Sequence, residues 1–170
     1  MKTAEFELIL KENQAMVYSI AYNFFHNPSL AEEVAQDVFF QLYQNLQAVA
    51  SPSHATSWLR RTVAHRCIDG LRHRSMQNEV QFDELPDIAE DCPETDPFLQ
   101  ARLRRLVASL PERLRIVVVL RYGEDMDVED ISRTLEMPVR TVWSNLQRAT
   151  AMMREKASRY LKEESRESIR

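Results

Sequence analysis

The stretch DVEDISRTLEMPVRTVWSNLQRA, residues 127–149, decides how this chain is read. Asp127 and Asp130 stand where a helix opens, and the short helix they begin runs through Leu135. The turn Glu136-Met137-Pro138 follows, and a longer helix starts near Val139. In that helix Val139, Val142, Leu146, Ala149 and Met153 recur at helical spacing and make one apolar face. The opposite face presents Arg140, Thr141, Ser144, Gln147 and Arg148, with Trp143 and Asn145 at the edges, open to packing or to contact. Two helices across a tight turn, the second longer and more basic, fit a helix-turn-helix. Its second helix enters the major groove of DNA, where arginine pairs most often with guanine. A plain helical hairpin within a bundle has the same pattern, and these residues alone do not separate the two.

Upstream, a helix is expected over Pro97–Ala108. Ser109 and Glu112 then have capping-box spacing around Pro111, before the helix ERLRIVVVLRY that stops at Gly123. Further upstream, Met76 to Phe98 shows no apolar period and holds three prolines. Residues 75–98 carry eight acidic side chains and no basic one. This reads as a linker, either a solvated spacer or a run of carboxylates that mimics nucleic acid and shields a basic face. It divides the chain into units at 1–75 and 99–170, with 76–98 between them.

The first unit reads as three helices. One runs from about Glu5 to Phe25 and ends at His26-Asn27-Pro28. A second opens with the capping-box pair Ser29 and Glu32 and continues to about Gln47. Its core stripe is Ala31, Val34, Val38 and Leu42. Glu33, Gln36, Asp37 and Gln44 lie opposite, with Phe40 near their centre. A large aromatic among polar residues is either covered by another part of the chain or is the anchor of a docking surface. The third helix, about His54 to Ser75, turns Leu59, Val63, Cys67 and Leu71 inward. Trp58, Arg61, His65 and Arg72 gather on the other side, with Arg60, Arg66 and Arg74 toward its edges. Cations interleaved with aromatic rings suit phosphates and unpaired bases, although a solvated charged face has the same composition. His65, Cys67 and His73 match no familiar metal-ligand spacing, and no cofactor is expected.

Composition narrows the classes. The 170 residues include only two glycines, Gly70 and Gly123, too few for tight-turned β architectures and for any glycine-rich phosphate loop. The fold class expected is all-α: two small helical domains joined by an acidic linker, the C-terminal one a helix-turn-helix. The net charge of −4 hides +4 over residues 60–74 and +4 over residues 99–170, so a nucleic-acid partner fits. No apolar run is long enough to span a membrane, and direct membrane insertion is not expected. Charged residues interrupt the opening MKTAEFELILKENQ, so no signal peptide is expected. Cys67 and Cys92 are read as thiols of a cytoplasmic protein. No His, Cys or carboxylate cluster has catalytic spacing, so an enzyme is not expected.

The order AEEVAQDVFFQLYQNL, SWLRRTVAHRCIDGLRHR, an acidic linker, then LPERLRIVVVLRYGEDMDVEDISRTLEMPVRTVWSNLQRA resembles an extracytoplasmic-function (ECF) sigma factor of bacterial RNA polymerase, over roughly residues 5–160. The resemblance implies sigma domain two in the first unit and sigma domain four in the second. It implies that Glu33, Gln36, Asp37, Phe40 and Gln44 dock on core polymerase, and that Trp58, Arg61, His65 and Arg72 contact the −10 promoter element. It further implies that the loop Gln47–Ser57 holds an extruded base, and that Arg140, Thr141, Ser144, Gln147 and Arg148 read the −35 element. Core polymerase, promoter DNA and an anti-sigma factor are the partners implied, with no small-molecule substrate. Pro138 stands where the family usually has serine, and Arg140, Trp143, Asn145 and His65 also depart from frequent residues, so the promoter sequence is not carried over. A free-standing helix-turn-helix regulator and a sigma-like interaction protein without promoter activity are the alternatives.

Overall fold

The computed structural model describes residues 2–76 and 96–167, and within them the chain is helical. The acidic stretch read as a linker lies almost wholly outside the described residues. Helix α1 (Lys2–Phe25) buries Ile9, Val17, Ile20 and Phe24 along one stripe. It stops where His26 takes a left-handed φ of 51°. Helix α2 (Pro28–Asn45) is capped by Asn27, whose Oδ1 accepts from the Leu30 N–H at 3.1 Å, with Pro28 in the first helical position. The expected Ser29–Glu32 box is therefore not the cap. The asparagine two residues earlier already has the extended backbone a cap needs, and Ser29 is inside the helix. A 3-10 turn (Leu46–Ala48) leads to α3 (Pro52–Met76), whose first turn is held by Ser51 Oγ accepting from His54 N–H. The non-helical loop is thus Val49–Ser51, shorter than expected, and Pro52–Ser57 belong to α3.

In the second unit Asp96 caps α4 (Pro97–Ala108) by accepting from Phe98 N–H. Helix α5 (Glu112–Val118) has no side-chain cap. Ser109 instead donates to the Leu106 carbonyl at the end of α4, and Glu112 turns away to Arg72 of α3. A π-helical turn (Val119–Gly123) follows. Gly123 does not adopt a positive φ; Asp125 does, at 50°. What Gly123 provides is room, because a Cβ there would lie 3.2 Å from Asn23 Nδ2. Helices α6 (Val128–Leu135) and α7 (Val139–Glu167) complete the unit.

The two units share a core. Val17, Ile20, Phe24, Val63 and Cys67 from the first belong to one apolar cluster with Ile116, Val117, Leu120, Ile131 and Val142 from the second. A helix that is apolar on every side is buried on every side. The run from Leu114 through α5 into the π-helical turn at Leu120 comes close to this: apolar except for Arg115, it is buried at every residue, and α5 lies between α3 on one side and α7 on the other. The ion pairs Arg72–Glu112 (2.9 Å) and Arg61–Glu136 (2.5 Å) cross the same boundary, as does the hydrogen bond from Ser19 Oγ to Glu124 Oε1 (2.7 Å).

Arg115 lies at the centre of this junction, 3% exposed. Its Nη1 donates to the Phe24 carbonyl at the end of α1 (3.3 Å), and Nη2 donates to the carbonyls of Leu110 (3.1 Å) and Ala108. The guanidinium carbon stands 5.1 Å from the centre of the Phe24 ring. One buried cation thus ends two helices, one from each unit, because it satisfies carbonyls that a helix terminus leaves without amide partners.

Candidate functional site

Three faces carry the side chains singled out from the sequence. On α2, Ala31, Val38 and Leu42 are buried and Val34 is half-buried, so the stripe that holds the helix to α1 and α3 is the expected one. Glu33, Gln36, Asp37, Phe40 and Gln44 all point to solvent. Phe40 is 62% exposed, so no described part of the chain covers it. Glu33 is held loosely by Arg74 of α3 at 3.6 Å. Beside Phe40 a groove of about 790 Å³ runs between α1 and α2, lined by Phe6, Leu10, Phe39, Phe40 and Tyr43 among others. The groove was not legible from α2 alone. It needs Phe6 of α1, whose ring meets Tyr43 edge-on at 5.3 Å.

On α3 the inward residues Leu59, Val63 and Cys67 are fully buried, and Leu71 partly so. Burial among apolar groups pushes the Cys67 thiol far above its ordinary range, so it stays protonated. Trp58, Arg61 and His65 come together on the other side, around a shallow groove with Arg66 and Asp69. Arg72 shares their angular position but stands about two turns beyond His65 along the helix. Neither Arg61 nor Arg72 is idle here. Arg72 lowers the Glu112 pKa from its ordinary value through its hydrogen bond. Arg61 is paired with Glu136, the left-handed residue of the turn before α7. A second groove, with Trp58, Arg60 and Arg61 on one wall and Met126, Asp130 and Arg133 on the other, lies between the units.

The third face is on α7. Asp127 caps α6 by accepting from Asp130 N–H at 2.7 Å. The turn is then stapled by two bonds between Ser132 and Met137, hydroxyl to carbonyl and amide to carbonyl. Pro138 opens α7 through its carbonyl, which accepts from the N–H groups of Thr141 and Val142. The helix therefore forms without the hydroxyl cap that proline lacks. Arg140, Thr141, Ser144, Gln147 and Arg148 are all exposed on one arc. Among the described residues no ion pair engages Arg140 or Arg148. Val142, Leu146 and Ala149 are buried and Met153 is half-buried. Val139, expected in the core, is 37% exposed instead, and Asn145 is buried at 8%. Met137 in the tight turn packs against the core, and its Sδ accepts from the Asn145 amide at 3.9 Å, which gives the buried Asn145 a partner. Trp143 faces out, 53% exposed.

Comparison with known proteins places these faces in one family. Residues 9–76 match the family described as Sigma-70 region 2, and residues 100–153 match Sigma-70, region 4. The chain is 30% identical over 151 residues to the RNA polymerase sigma-E factor of Streptomyces avermitilis, covering 89% of this chain and 84% of that one. It is 24% identical to the ECF RNA polymerase sigma factor SigW of Bacillus subtilis, covering 81% of each. Among solved structures, the fold is shared with the sigma factor RpoE of Bartonella quintana, determined in complex with the anti-sigma factor NepR. That likeness has a TM-score of 0.73 at 17% identity, covering 89% of this chain and 95% of that one.

Proposed function

Because the chain belongs to the sigma-70 family, as an ECF-type alternative sigma factor that directs RNA polymerase to promoters, we propose a division of that work among its three faces. The exposed face of α2, with Phe40 as anchor and Glu33, Gln36, Asp37 and Gln44 around it, docks on core polymerase. Trp58, Arg61, His65 and Arg72 of α3 contact the −10 element, with rings stacking on unpaired bases and guanidiniums neutralising phosphate. Arg140, Thr141, Ser144, Gln147 and Arg148 of α7 read the −35 element in the major groove. Residues 1–75 act as sigma domain two and 99–170 as sigma domain four.

The observation that supports this reading most is the α7 arc. Five polar side chains stand in water on the second helix of a helix-turn-helix, over a buried arc that fixes the helix in place. Arg61 and Arg72 are both paired with carboxylates of the second unit, so these pairs must be exchanged for phosphate when α3 meets DNA. An anti-sigma factor is a further partner; the RpoE structure of like fold was solved with the anti-sigma factor NepR. The chain works in the cytoplasm and performs no chemistry itself; among the described residues no helix is long and apolar enough to cross a membrane.

The test is co-elution of the purified chain with bacterial core RNA polymerase at moderate salt, followed by footprinting of the complex on promoter DNA. Co-elution with protection at both elements is expected. A folded chain that fails to co-elute yet binds duplex alone would mark a free-standing regulator.

A further inference from the structure

Trp143 is the one large aromatic on the polar arc of α7, and the polar contacts proposed above do not use it. It is the fifth residue of the helix, within the first two turns, the part of such a helix that approaches base edges. Arg140, three residues before it, and Gln147, four after it, flank it on the same side, and both are exposed. Val139, four residues before, is exposed as well, so the two apolar side chains form a short strip along one edge of the polar arc. No described residue stacks on the indole. An indole left more than half in water is not explained by packing within the chain, and a charged or amide residue would solvate this position better.

A major groove offers little that an indole can bury itself against. Its floor is lined with hydrogen-bond donors and acceptors, and the exposed apolar group there is the C5-methyl of thymine. Resting on the reading of α7 as the −35 helix, we propose that Trp143 is a specificity-determining residue that packs against a thymine methyl, with Val139 extending the apolar contact. Arginine at 140 and 148 and glutamine at 147 then read hydrogen-bonding edges on one side, while the strip selects a T·A pair beside them. The preference is for the methyl itself, which separates this contact from a hydrogen bond to thymine O4.

The experiment uses the holoenzyme, the full chain assembled with core polymerase. Duplexes randomised upstream of a fixed −10 region are selected for binding and sequenced. The selected duplex is then remade with deoxyuridine replacing each upstream thymidine in turn, which removes one methyl and leaves every hydrogen-bonding group. At one or two positions the unaltered chain should lose about fourfold in affinity, the worth of one buried methyl. Trp143→Ala should bind the thymidine duplex at least about fourfold more weakly and lose most of the distinction between thymidine and deoxyuridine, with Val139 keeping at most a remnant. Trp143→Phe should keep part of the difference. Indifference of the unaltered chain to deoxyuridine everywhere overturns the proposal, and so does a Trp143→Ala variant that discriminates as strongly as the unaltered chain. Weaker binding by Trp143→Ala without any methyl effect would make the indole a contact to the backbone or to another protein. A selection that enriches no upstream sequence would instead refute the reading of α7 on which the proposal rests. Trp143 lies outside the core, so an unchanged urea midpoint for Trp143→Ala separates lost contact from lost folding.

Discussion

Replacing Arg115 by methionine removes the charge at the junction of the two units while keeping most of the side-chain volume. The guanidinium donates to three buried carbonyls, those of Phe24, Ala108 and Leu110. Hydrogen bonds from a charged donor are worth about 1.5–3 kcal/mol each, and a buried acceptor left without a partner costs about 1–3 kcal/mol. Against this stands the cost of keeping a cation out of water. Burial pulls the Arg115 pKa down to about 10 from an ordinary 12.5, and at 1.36 kcal/mol per pH unit that is about 3 kcal/mol returned when the charge is removed. The three lost bonds together outweigh this return, and Arg115→Met should destabilise the chain by about 2–6 kcal/mol. Arg115→Lys should cost less but not nothing, because one ammonium cannot span three carbonyls as the planar fork does. Urea unfolding at pH 7 reads the change as a lower midpoint. Hydrogen exchange should locate it, with lost protection at the end of α1, in α5 and at the end of α4 together. A methionine variant as stable as the original, or more so, would refute the account: the cation would then be tolerated at this junction rather than holding it.

Three further outcomes are expected. His26 is buried with neither ring nitrogen hydrogen-bonded among the described residues, and burial, then the charges of Arg115 and Arg104, hold its pKa down to about 4. The unfolded chain therefore binds this proton first, and stability should fall as pH drops through 6.5 and level off near 4. The loss attributable to His26 should reach about 2 kcal/mol at pH 5, and His26→Asn, which tolerates the left-handed backbone, should remove it from urea midpoints at pH 7 and pH 5. Phe40→Ala should weaken binding to core polymerase by about 1–2 kcal/mol in a titration and leave the thermal midpoint unchanged; equal affinity would take Phe40 out of the interface. Arg148→Ala in the holoenzyme should cost about 1–3 kcal/mol on the selected promoter, with relaxed preference at one base pair if it touches a base edge. A loss that is equal on every duplex, with a shallower salt dependence, would assign it to a phosphate.

Helical periodicity made much of the molecule legible in advance. Each amphipathic helix declares its own apolar side, so the buried stripes of α2 and α3, the place of Phe40 on the polar face of α2 and the polar arc Arg140–Arg148 could be read from spacing alone, whereas only the structure shows that nothing described covers Phe40. The helix-turn-helix was legible because its breaks are chemical: a capping aspartate, a short turn and Pro138. Periodicity says which face of a helix is apolar but not which helix will cover it. That is why the run Ile116–Leu120 did not disclose that α5 is enclosed by α3 and α7, nor Arg115 that its charge would be buried against the end of α1. Caps escaped for a related reason. Asn27 and not Ser29 caps the start of α2, since capping depends on the backbone angles of one residue, and several polar residues in a row could have taken that place. Asn145 went inward and Val139 outward beside Met137, which packs against the core from the turn, a placement that helical spacing does not encode. The local order of the chain thus determined its helices and the character of their faces. The meeting of the two units, and the pairing of Arg61 and Arg72 across it, was decided by long-range packing, in which contacts between residues far apart in sequence leave no period to read.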